Sequence, residues 1–275
     1  MNAVLNITPR KWLIAGAGAL AVLSVVVLGN QAVAQPVSRT AAVTCTATRY
    51  QVGQPIVLAS IDGTGSTNSV ALRHEYAQAL SGIAAAASGQ GAYLVVDVFG
   101  STVGSIKTLC ATSTRVAGAA PLFVTAQQTA LRQALDKISK QASRTNMGAV
   151  GSSIYGALVD GIQRVQLLRA GKPVPARLVL ITDGGESDRG GLHLRRLLGT
   201  RASDQAIAAQ IIGTLPPPDA RGLTSIQIEG VGRTGAGRPI STQDVRRMQD
   251  VWQRICASTH PRNCLVTPDL LGNFS

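Results

Sequence analysis

Ile56-Val57-Leu58-Ala59-Ser60-Ile61-Asp62, followed at once by Gly63-Thr64-Gly65-Ser66, is the stretch from which the fold is read. A run of apolar and small residues with no polar alternation describes a strand buried on both faces, closed by an acidic, glycine-rich turn. The same pattern returns at Ala92–Phe99 (AYLVVDVF), Arg177–Thr182 (RLVLIT), Ser225–Val231 (SIQIEGV) and, more briefly, Cys264–Val266. Between these runs the apolar residues take helical spacing. Leu72, Tyr76, Leu80 and Ile83 share one face, as do Leu131, Leu135 and Ile138 within Thr125–Ala142. Ile154, Leu158, Ile162 and Val165 mark another helix, Ser203–Ile212 a short one, and Val245, Met248, Val251 and Ile255 the last. Strands alternating with amphipathic helices predict an α/β fold: a doubly wound, mostly parallel central sheet with helices on both faces, Rossmann-like in plan. Gly100-Ser101 is expected to turn the second strand back into a third, around Val103–Leu109, as one antiparallel edge strand.

The chain has 275 residues and a formal net charge of +12. Near the N-terminus, Arg10 and Lys11 precede an uncharged apolar run, residues 12–28, and Ala32-Val33-Ala34 has the small-x-small pattern of a signal-peptidase site. Residues 1–34 are therefore expected to be a signal peptide cleaved after Ala34, or an N-terminal membrane anchor through residues 12–28. Residues 35–53 read as a linker and 54–275 as the folded domain. Export to a bacterial periplasm or cell envelope, secreted or anchored, follows from that reading. Cys45, Cys110, Cys256 and Cys264 are an even set, which in an exported chain implies two disulfides. Three pairings are formally open; a short loop between Cys256 and Cys264 would leave Cys45 with Cys110. No Cys-x-x-Cys pair is present, which argues against zinc or thioredoxin-like chemistry. Outside the N-terminal segment the charge is still about +10, but the arginines are scattered and no aromatic stripe accompanies them, so nucleic acid is not the expected partner.

Polar clusters fall where ligands of such sheets sit, at the C-terminal ends of the strands. Asp62, Thr64 and Ser66 follow the first strand, Gly151-Ser152-Ser153 precedes a helix, and Thr182-Asp183-Gly184 follows a later buried strand. In that order the three loops resemble the metal-ion-dependent adhesion site of von Willebrand factor A domains and integrin I domains. The resemblance implies that Asp62, Thr64, Ser66, Ser152 and Asp183 hold one divalent cation. Thr64 stands where the family has serine and Ser152 where it has threonine; both keep a hydroxyl, and Ser153 is the alternative to Ser152. Oxygen-only donors suit a hard cation, Mg2+ first, with Mn2+ or Ca2+ as substitutes. The family likeness further implies a protein partner that presents an acidic residue to the metal. Arg189, Arg195 and Arg196, just past Asp183, are candidates for a basic collar that attracts it.

Other chemistries fit less well. Gly63-Thr64-Gly65 lacks the third glycine of a dinucleotide fingerprint, and Asp62 would oppose a pyrophosphate. No Gly-x-Ser-x-Gly elbow exists, and His74, His193 and His260 are the only histidines. The expected function is metal-dependent protein recognition or adhesion at the cell envelope, without catalysis. The alternatives are an assembly or scaffolding protein with a structural metal, and a basic module that docks on anionic lipid or polymer.

Overall fold

The computed structural model describes residues 45, 47–116, 121–147, 151–187, 192–235 and 239–274. The expected signal or anchor segment, most of the linker and Arg189 lie outside the described residues, so nothing in the structure bears on them. Among the described residues no helix is long and apolar enough to cross a membrane.

The strands are β1 (Ile56–Asp62), β2 (Tyr93–Phe99), β3 (Ile106–Ser113), β4 (Ala176–Ile181), β5 (Ser225–Glu229) and β6 (Cys264–Thr267). They form one sheet in the order β3-β2-β1-β4-β5-β6. All neighbours pair in parallel except β2 and β3, so the sheet is mostly parallel with one antiparallel edge, as the sequence predicts. β1 and β2 are buried at every position, which is why neither shows polar alternation.

Helices α1 (Val70–Gly89) and α2 (Pro121–Arg144) cover one face of the sheet. On that side Val57, Ala59 and Ile61 of β1 meet Leu72, Tyr76, Leu80 and Ile83 of α1 and Leu135 and Ile138 of α2. Helices α3 (Ile154–Arg169), α4 (Leu194–Leu198), α5 (Asp204–Ile212) and α6 (Thr242–Ser258) cover the other. There Ile56 and Leu58 of β1 pack with Ile154, Leu158 and Ile162 of α3 and with Trp252 of α6 in one continuous core. Ser69, Ser203 and Ser241 each accept a backbone N–H at the start of α1, α5 and α6, so those helices begin on serine caps.

One expectation needs correction. The third strand starts later than expected, at Ile106: Gly104 has φ +76° and the turn spans 101–105, so Val103 sits in the turn and is half exposed. Helix α3 ends at Arg169, with Ala170 and Gly171 both left-handed, ahead of Pro173 and Pro175.

The disulfides are Cys45–Cys110 and Cys256–Cys264. The first fastens the segment ahead of β1 to the edge strand β3, and the second fastens α6 to β6. Such bonds persist in oxidising compartments.

Candidate metal centre

β1 and β4 are adjacent and parallel, with Ile61 opposite Ile181, so the residues that follow, Asp62 and Thr182, emerge side by side. The Thr182 hydroxyl donates to Asp62 Oδ2 at 2.8 Å. The other carboxylate oxygen, Oδ1, accepts from the Thr64 amide at 3.0 Å and the Thr64 hydroxyl at 2.6 Å. Thr67 holds this turn closed by donating to the carbonyls of Asp62 and Thr64.

The second loop reaches the same point. Thr64 Oγ1 lies 2.6 Å from Ser152 Oγ; since the Thr64 proton goes to Asp62, Ser152 is the donor between the two hydroxyls. Ser66 Oγ stands 3.5 Å from Thr64 Oγ1 and faces a cleft. The 151–153 loop is held by Ser153 N donating to Gly100 O and Ser187 N donating to Ser152 O. Gly151 makes that approach feasible: its φ is +98°, and a Cβ there would lie 2.1 Å from the Ser187 carbonyl oxygen. Ser152, not Ser153, points at the cluster. Ser153 instead occupies the N-cap position of α3 without a side-chain cap bond.

The third loop brings Asp183, which is fully buried. Its Oδ1 accepts from Gly185 N at 2.8 Å, its Oδ2 accepts from Arg195 Nη2 at 3.0 Å, and its carbonyl accepts from Gly232 N. Trp252 of α6 donates to Gly184 O at 2.9 Å and ties this loop to the core. Asp62 is 2% exposed. Burial first, and the charge of Asp183 second, raise its pKa to about 6 against the hydrogen bonds from Thr64 and Thr182. Burial first, and then the charges of Asp183 and Asp62, push the buried Tyr76 hydroxyl well above the ordinary tyrosine value.

All five residues of the candidate site thus converge: Asp62, Thr64, Ser66, Ser152 and Asp183. Two buried carboxylates, ringed by hydroxyl oxygens, form a donor set that suits a hard divalent cation. No group of three or more His, Cys, Asp or Glu converges among the described residues, so any cation here relies on hydroxyls as well as carboxylates.

A cleft of about 330 Å³ opens over the cluster, lined by Ser66, Asp183, Glu186, Ser187, His193 and Arg195. Two arginines of the expected collar are described. Arg195 is bound to Asp183 of its own chain, while Arg196 is exposed on α4. Sequence reasoning missed the supporting residues. Thr182 orients Asp62, and Trp252 fixes the Gly184 turn. Glu186 Oε2 accepts from Tyr155 N at 2.8 Å and so takes up the positive end of α3. His193 lies on the rim, with Nδ1 2.8 Å from Ser187 Oγ.

No protein-family model matches the chain, and no curated protein matches it. Among solved structures it is similar to the pilus adhesin SpaC from Lactobacillus rhamnosus GG in its open conformation. That match has 14% identity and a TM-score of 0.40, and covers 79% of this chain and 28% of the adhesin. A second form of the same adhesin matches at 12% identity and a TM-score of 0.43, over 82% of this chain and 30% of that one. Manganese-loaded Plasmodium vivax TRAP protein matches at 16% identity and a TM-score of 0.38, over 72% of this chain and 64% of TRAP. The chain therefore spans under a third of the adhesin's length and under two thirds of TRAP's.

Proposed function

We propose that this protein binds one divalent cation, Mg2+ or its substitutes Mn2+ and Ca2+, on Asp62, Thr64, Ser66, Ser152 and Asp183. It uses that site to recognise an acidic residue of a partner protein at the cell envelope. The observation that carries the reading is the convergence of three loops on Thr64 Oγ1, 2.6 Å from both Asp62 Oδ1 and Ser152 Oγ. Buried polar oxygens must be paired, and here they pair with one another on the same atoms that a hard cation would take. When bound, the cation supplies an electrophilic position open to an incoming carboxylate. The chain's own residues supply the rest: Thr182 and Gly185 orient the two aspartates, and the cleft admits the partner's side chain. Recognition without catalysis is the role assigned to the site in this reading.

A pull-down from envelope extract tests this, run in Mg2+ and in chelator with wild type and Asp183→Ala. A partner retained by wild type in Mg2+, and lost in chelator and in Asp183→Ala, is the expected result. Equal capture in all arms contradicts it.

One observation favours a second reading, docking on anionic lipid or polymer. The groove between α1 and α2, about 340 Å³, is lined by Arg73, His74, Lys140 and Arg144 beside the exposed Val70. Binding that falls steeply with salt but ignores chelator would support that reading instead.

A further inference from the structure

The pair between Arg195 and Asp183 is unusual for a rim arginine. Asp183 is fully buried, and its Oδ2 holds the Arg195 guanidinium at 3.0 Å although that side chain is 43% exposed. The arginine is not on a loose loop. Leu194 and Leu198 on either side are buried, and Leu194 N donates to Glu186 O at 2.9 Å, so α4 presents Arg195 from a fixed platform. The loop makes room for it: Gly185 has no side chain, and a Cβ there would stand 3.3 Å from Arg195 Nε. Arg196, next in sequence, makes no ion pair among the described residues.

We infer that Arg195 sets the affinity of the cation site by acting as a resident counter-ion of Asp183, so that a divalent cation binds by exchange against the guanidinium. This inference rests on the cation-binding reading above. A carboxylate can be neutralised by a guanidinium or by a dication, but two cations sharing one carboxylate repel each other. Loading the site therefore requires Arg195 to leave Oδ2 or to tolerate that repulsion, and either course weakens binding. The guanidinium, once released, lies on the rim of the same cleft. A partner's carboxylate would then meet both the metal and Arg195, and whatever draws Arg195 outward would tighten the cation by linkage.

Mn2+ alone is the probe, with affinity read from the loss of the free-ion electron paramagnetic resonance signal. The variants are Arg195→Gln, Arg195→Ala and Arg195→Lys, with Arg196→Gln as the control on the same helix. Arg195→Gln and Arg195→Ala are expected to bind Mn2+ at least about tenfold more tightly than wild type, and Arg196→Gln within about twofold. Arg195→Lys, which keeps the charge, should remain close to wild type. Thermal melting supplies the second readout: without metal, Arg195→Gln should melt below wild type because Asp183 loses its counter-ion, and saturating Mn2+ should close that gap. Equal or weaker Mn2+ binding by Arg195→Gln, with wild type binding normally, overturns the exchange and leaves the metal reading intact. No Mn2+ binding by any protein in a folded state overturns both.

Discussion

Thr182 shows how much of the centre depends on side chains that do not belong to the candidate ligand set. Its hydroxyl donates to Asp62 Oδ2, and in metal sites such supporting bonds fix the direction of the ligating oxygens. Thr182→Val keeps the shape and removes the donor; it is expected to weaken Mn2+ binding by about 10–100-fold, read by calorimetry. Ser152 and Ser153 make a paired test. Ser152→Ala should cost about tenfold in affinity, whereas Ser153→Ala should change it little, because only the Ser152 hydroxyl reaches Thr64. The sequence was legible at this scale for the loop residues that carry the resemblance, Asp62, Thr64, Ser66, Ser152 and Asp183. The bond from Thr182 to Asp62 was not legible, because the two are 120 positions apart and meet only through the β1–β4 register. Glu186, Trp252 and the Arg195 pair are hidden for the same reason: each depends on where a distant loop or helix comes to rest.

Elements place these residues, and α3 matters most because it starts at the Ser152 loop. It packs closely on the sheet at Gly161, where a Cβ would lie 2.8 Å from Leu178 Cδ1. Gly161→Ala should therefore destabilise the protein by about 1–3 kcal/mol in urea unfolding, through overpacking against the buried Leu178 side chain. On the same helix, Arg164 makes two bonds to Asp97 of β2, whose side chain is 2% exposed. Burial raises the Asp97 pKa and Arg164 opposes the rise. Arg164→Met should cost about 2 kcal/mol, below the cost for a fully buried pair because Arg164 is itself 35% exposed. On β5, Glu229 is fully buried and burial raises its pKa to about 7, against the amides of Leu271 and Gly272. A raised carboxyl pKa means that the folded state holds the proton longer than the unfolded chain. That contribution to stability is full below the ordinary carboxylate range and is lost as pH rises through 7. Glu229→Gln should therefore melt above wild type at pH 8, with the difference shrinking towards pH 5. Apolar spacing disclosed these elements in their right order, and it located β1 and the start of α3 well. It misplaced β3, because an edge strand is half exposed and the hairpin turn uses Gly104 rather than the Gly100-Ser101 pair alone.

The whole molecule is braced by its two disulfides, and their loops differ in length. Cys45 and Cys110 are 65 positions apart and Cys256 and Cys264 only 8. Chain entropy alone assigns about 4 kcal/mol to the longer loop and about 2.5 kcal/mol to the shorter. Replacing each pair by serines should lower the urea midpoint in that order. The pairing was open in the sequence, since four cysteines allow three connectivities and only the folded sheet brings Cys45 to β3. The central claim concerns the three loops acting as one cation site, and calorimetric titration of Mn2+ into the folded protein tests it most directly. Wild type should take up one Mn2+ per chain, with Asp62→Ala and Asp183→Ala folded but taking up none. Absence of uptake by folded wild type, or uptake unchanged in both variants, would contradict the account.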